Sequence, residues 1–239
     1  MFVSETINLK SGEADMKLYR VDPAGTPKGA VVVIQEAFGM TNHIKNVCAS
    51  LADAGYLAVA PHVFHRTGDP LIAYSDMKDV MPHIMALNQE GVEADLKSTF
   101  DYLAQQGFSG RQVGIVGFCM GGTISFFAGA QRELGAAVTY YGGGIAQGRF
   151  GLPAMADTAS GLKTPWQGNF GDLDQSIPTA EVEQLREAAA KATVDTEVNR
   201  YAEADHGFHC ADRSAFHEAS SKAAWPKTIA FFDSHIQAG

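Results

Sequence analysis

Cys119 stands in the run Gly117-Phe118-Cys119-Met120-Gly121-Gly122, after the apolar stretch 113–116 and before the small and apolar stretch 123–128. Glycines two residues either side of the cysteine give the spacing of a G-x-S-x-G nucleophile elbow, with sulfur in place of oxygen. At such a strand-to-helix turn a side chain larger than hydrogen collides with neighbouring backbone. The helix that follows aims its first N–H groups at the sulfur, which favours a thiolate or an oxyanion there. A glycine-rich turn can instead cradle a phosphate, and a cysteine can be a small core residue. The run lacks the Lys-Ser/Thr ending of a P-loop and the G-x-G-x-x-G order of a dinucleotide turn. Cys119 is therefore read as a catalytic nucleophile.

A thiol needs a base or a positive neighbour to react at neutral pH. His206, in Asp205-His206-Gly207-Phe208, follows the last expected strand, and Gly171 to Pro178 offers two acids, Asp172 and Asp174, of which Asp174 is preferred. The order nucleophile, acid, base (119, 174, 206) is that of the α/β-hydrolases. The same geometry puts the oxyanion-hole donors at the backbone N–H groups of Met120 and Ala37. Glu36, at the end of a buried strand, either bonds the resting thiol or meets solvent or loop backbone.

Other reactive side chains make weaker sets. His62 with His65, and His206 with His209 and Cys210, have zinc-ligand character, but each set is incomplete or already committed. No metal and no cofactor is expected. Phe38, Phe64, Tyr140, Tyr141 and Phe208 are candidates to line a pocket, although packing explains aromatics equally well. Cys48, in an amphipathic stretch, reads as core.

These residues need a scaffold, and the chain writes one. Residues 6–9 and 16–21 predict a hairpin, and the apolar run 30–34 predicts a strand buried on both faces. Thr41 or Asn42 caps a helix reaching about Ala54, with Gly55 as its stop. Strands at 56–60, 113–116, 136–140, 164–170 and 197–201 alternate with helices at 90–106, 119–132, 179–192 and 214–236. That alternation specifies an α/β fold, a mostly parallel sheet with helices on both faces and an antiparallel hairpin at its start, in one domain over 1–239. Ligands of such sheets bind at the carboxyl ends of the strands, which picks out the loops 35–39, 61–62, 118–120, 141–144, 171–178 and 204–209.

Composition narrows the partners. In 239 residues, 46% are hydrophobic and 19% charged, a globular profile. A net charge of −9 argues against nucleic acid and anionic membranes. Three widely spaced cysteines suit a reducing compartment, no stretch is long and apolar enough to span a bilayer, and no secretory signal is evident. The expectation is a soluble cytoplasmic protein acting on a small molecule.

Taken together, Glu36 in Gln35-Glu36-Ala37-Phe38-Gly39, Cys119 in its glycine run, Asp174 in Asp174-Gln175-Ser176-Ile177-Pro178 and His206 before Gly207-Phe208 resemble the dienelactone hydrolase family. The similarity runs from about Leu18 to the C-terminal helix. It implies a cofactor-free, usually monomeric hydrolase that opens lactones or cleaves esters through an acyl-enzyme. It also implies that Glu36 bonds the resting thiol and swings away when substrate enters. Two arginines that anchor the substrate carboxylate in the family are missing. The position four after the histidine is Cys210, and between Thr67 and Asn88 Lys78 is the one Lys or Arg. Arg66 or Arg213 could substitute from elsewhere. Two competing readings stay open: a carboxylesterase for uncharged short-chain esters, and a non-catalytic redox-sensing or binding protein in which Cys119 is merely reactive.

Overall fold

Eight strands form one sheet in the order β1-β2-β4-β3-β5-β6-β7-β8. The structure, a computed structural model, describes residues 3–155 and 159–238. The hairpin β1 (Val3–Ser11) and β2 (Ala14–Asp22) is antiparallel, and β2 runs antiparallel to β4 (Leu57–Pro61). The remaining neighbours, β4 with β3 (Ala30–Ile34), β5 (Val113–Phe118), β6 (Ala136–Tyr140), β7 (Trp166–Gly171) and β8 (Thr196–Tyr201), pair in parallel. Every residue of β3, β5 and β6 is buried, as continuous apolar strands covered on both faces should be.

Among the described residues six α-helices accompany the sheet: α1 (Asn42–Asp53), α2 (Met77–Met85), α3 (Gln89–Gln105), α4 (Met120–Gln131), α5 (Thr179–Ala189) and α6 (Glu218–His235). α4 is apolar almost all round and buried from Met120 to Ala130, as befits a central helix with no solvent face.

Three elements differ from expectation. α2 is not announced by the sequence, because Pro82 lies inside it and Val80 is its single buried residue, so neither the breaker rule nor periodicity flags a helix. α6 begins four residues later than the expected 214, because residues 213–217 turn back onto the loop carrying His206. There Arg213 and Phe216 donate N–H bonds to the carbonyls of Cys210 and Arg213, and His217 donates to Phe208. Thr41 precedes α1 as its cap residue, but its side chain accepts no capping bond and instead meets Tyr74.

Candidate active site

Four parallel strands deliver the site. Glu36 follows β3, Cys119 follows β5, Asp174 follows β7 and His206 follows β8, all at the carboxyl edge of the sheet. The elbow is as tight as its glycines require. A Cβ on Gly117 would lie 1.8 Å from the carbonyl oxygen of Gly121, and one on Gly121 would lie 2.4 Å from that of Ile34. The second contact also presses the start of α4 against the end of β3. Cys119 itself has φ 56° and ψ −120°, a conformation that L-residues adopt at a cost of about 1–3 kcal/mol. Its N–H donates to the Tyr140 carbonyl at 3.0 Å, so the strain is held by the neighbouring strand.

The Cys119 thiol is partly buried and lies within the electrostatic reach of the His206 imidazole and the Met120 backbone. Burial pushes this thiol up, but His206 outweighs burial and holds it below the ordinary thiol range. His206 answers in the opposite sense. Burial lowers it, while the facing sulfur and Asp174 raise it well above an ordinary imidazole. Thiolate and imidazolium therefore favour each other.

His206 Nδ1 lies 2.6 Å from Asp174 Oδ2. The other carboxylate oxygen of Asp174 accepts from the Ser176 N–H at 2.8 Å and from its hydroxyl at 2.6 Å. Burial raises this carboxyl, but these bonds prevail and keep it ionised below its ordinary range. Asp172, the alternative acid, is paired with Arg200 at 2.7 Å.

Glu36 is fully buried, and its carboxylate is held by groups other than the thiol. Tyr74 Oη lies 3.1 Å from Oε2, while Tyr141 Oη and an Arg213 nitrogen approach Oε1 at 3.5 and 3.3 Å. Burial raises the Glu36 carboxyl, against the lowering influence of Arg213 and Tyr74. Glu36 acts on Cys119 through space, opposing the thiolate, so the geometry differs from the thiol-bonded arrangement that the resemblance implies. The cause is Arg213, which reaches the carboxylate from the turn before α6 and lies against the Phe38 and Tyr74 rings.

The pocket candidates divide. Tyr141 sits between Glu36 and His206, its ring 5.2 Å from the imidazole. Phe38, Phe64, Tyr140 and Phe208 are buried packing residues. Arg66 is committed to Asp95 at 2.9 Å and to Ser11 at 3.0 Å, tying α3 to the hairpin, and Lys78 is exposed on α2. Those contacts replace the pocket role expected of Arg66. His62 and His65 are likewise engaged, with Asp69 at 2.8 Å and Asp95 at 2.9 Å. Sequence reasoning missed Tyr74 and Ser176. Tyr74 lies in an irregular segment without period, and Ser176 was legible only as part of the Asp174 turn.

The model for the dienelactone hydrolase family matches residues 16–236. The chain belongs to the dienelactone hydrolase family. Among its relatives, a Yersinia pestis protein provisionally named a carboxymethylenebutenolidase is 32% identical over 233 residues, covering 96% of this chain and 87% of that one. The Pseudomonas putida carboxymethylenebutenolidase is 28% identical over 213 residues, with 87% of each chain covered. A solved structure provisionally designated a dienelactone hydrolase, from Klebsiella pneumoniae, superposes with a TM-score of 0.88 at 33% identity, covering 98% of this chain and 99% of that one. The mostly parallel sheet with its leading hairpin is thus the α/β-hydrolase fold of this family. Among the described residues no helix is long and apolar enough to cross a membrane.

Proposed function

We propose that this family member hydrolyses a lactone or small carboxylic ester through a cysteinyl acyl-enzyme, with Cys119 as nucleophile, His206 as acid and base, and Asp174 as the group orienting His206. The observation that supports the reading is the His206–Asp174 pair, 2.6 Å apart, whose imidazole draws the Cys119 thiol below its ordinary range. The Cys119 thiolate attacks the carbonyl carbon, and the N–H groups of Met120 and Ala37 receive the oxyanion. His206 protonates the leaving alkoxide and then takes a proton from water, which cleaves the thioester. For a lactone the alkoxide stays tethered and one ring-opened hydroxy acid leaves. Glu36, joined to Arg213 and Tyr74, opposes the thiolate through its charge and so sets how readily the ion pair forms. The substrate is a small molecule, the enzyme works as a monomer in the cytoplasm, and the reaction calls on no cofactor.

A carboxylesterase acting on uncharged short esters is the second reading. It is favoured by Cys210 at the family's anchor position and by the engagement of Arg213 with Glu36. Turnover of a chromogenic short ester tests the main reading. Cys119→Ala and His206→Ala are each expected to lose at least ~1000-fold in kcat, as for members of a catalytic unit. Turnover retained in His206→Ala would refute the assignment.

A further inference from the structure

At the carboxylate of Glu36 lies a second group of ligating atoms. A carboxylate oxygen of Glu36, an imidazole nitrogen of His43 and the sulfur of Cys210 lie within 4.8 Å of one another, and all three residues are buried. His43 stands in the first turn of α1, and its ring is fixed by an edge contact to Phe118 at 5.1 Å and by His209 at 5.6 Å. Its Nε2 has no hydrogen-bond partner among the described residues, although the residue is only 6% exposed. A buried imidazole nitrogen left without a partner is costly unless something fills the place beside it.

We propose that Glu36, His43 and Cys210 form a binding site for a thiophilic divalent cation of the zinc class. One thiolate, one imidazole and one carboxylate make a donor set that zinc accepts and that magnesium and calcium do not favour. Bonds of about 2.0–2.3 Å in a tetrahedral shell set ligand-to-ligand separations near ~3.5 Å, so the three side chains close by roughly an ångström through rotation. Arg213 and Tyr141 approach Oε1 of Glu36, while Oε2 accepts from Tyr74. The Tyr74 hydroxyl, 3.1 Å from that oxygen and 3.2 Å from the Cys210 sulfur, already bridges two of the ligands and borders the fourth position. On binding, the metal–sulfur, metal–nitrogen and metal–oxygen bonds form, the Cys210 S–H bond breaks, and its proton passes to solvent. No electron changes hands. Only the consequence rests on the hydrolase reading: an ion held there fixes Glu36 and makes zinc a reversible inhibitor.

The test uses the full chain carrying Cys119→Ala, which removes the competing active-site thiol, titrated with cobalt(II) as an optical substitute for zinc. A near-ultraviolet thiolate-to-cobalt charge-transfer band saturating at one equivalent is expected, bleached by added zinc. Adding Cys210→Ser should abolish the band, and adding His43→Gln should weaken binding at least ~10-fold. Zinc added to unbuffered Cys119→Ala protein should release one proton per ion, a reading that needs no further variant to fold. Absence of the band in Cys119→Ala, its survival after Cys210→Ser, unchanged affinity in His43→Gln, or no proton release would each overturn the proposal. The readings are optical and potentiometric, so they stand or fall apart from any hydrolytic activity.

Discussion

Three cysteines of one chain end up with three different chemistries. Cys48 is sealed in the core, where burial pushes its thiol far up, and burial with the nearby Glu36 charge pushes Cys210 up to about 11. Cys119 alone is drawn down, because His206 outweighs burial. The sign follows directly: the Cys119 thiolate is lost only as pH falls through a value below the ordinary ~8.5, whereas the other two stay protonated at neutral pH. Iodoacetamide at neutral pH is therefore expected to label one residue, Cys119, with a rate midpoint below that of a free thiol. Peptide mass mapping checks the site, and labelling spread over all three would contradict it. The acid separates as cleanly. Asp174→Asn is expected to lower kcat by roughly 100-fold or more, since it leaves His206 without its orienting anion. Asp172→Asn, which removes only the Arg200 pair, should stay within about twofold. Steady-state kinetics on one chromogenic ester decides both.

The elements hold these residues by backbone contact more than by side-chain attraction. The first turn of α4 can press on the end of β3 only because position 121 has no side chain. Gly121→Ala is accordingly expected to destabilise the fold by about 1–3 kcal/mol, because a rigid carbonyl rather than a flexible side chain meets the new methyl. In a chain of this size that corresponds to a fall in Tm of several degrees. Kcat should fall further than the loss of folded protein explains, since Met120 and Ala37 move apart. Calorimetry together with kinetics at a temperature where the variant is folded checks this. The glycine pair and the buried strands were legible, and Cys119 stood out as the candidate nucleophile, because each leaves a local mark: a spacing, an apolar run, a residue type at a strand end. The partner of Glu36 was not. Arg213 arrives because the chain folds back from His217 to Phe208 before α6 begins, and no local pattern encodes that return. α2 escaped for a related reason, since a short helix with one buried residue and an internal proline carries almost no periodic signal.

At the scale of the whole molecule, the chain keeps the fold of its family. The family resemblance implies an arginine at position 210, where this chain has Cys210, whose S–H donates to the Tyr74 hydroxyl. Arg213 supplies a cation from farther along, but spends it on Glu36. A charge-assisted bond to an incoming carboxylate contributes roughly 1.5–3 kcal/mol only if the cation is free to make it. Neutral lactones and short neutral esters are thus expected to match or exceed dienelactone in kcat/KM. A panel of the three measures this, and a strong preference for the anion would show that a carboxylate displaces Glu36 from Arg213.

The proposed mechanism requires Cys119 to carry the acyl group. Rapid quenching of the wild-type enzyme with an activated ester, followed by peptide mass spectrometry, reads this directly. The expected result is a transient adduct of one acyl group on the peptide containing Cys119, longer-lived in His206→Ala and missing in Cys119→Ala. Full turnover with no adduct, or an adduct on any other residue, would contradict it.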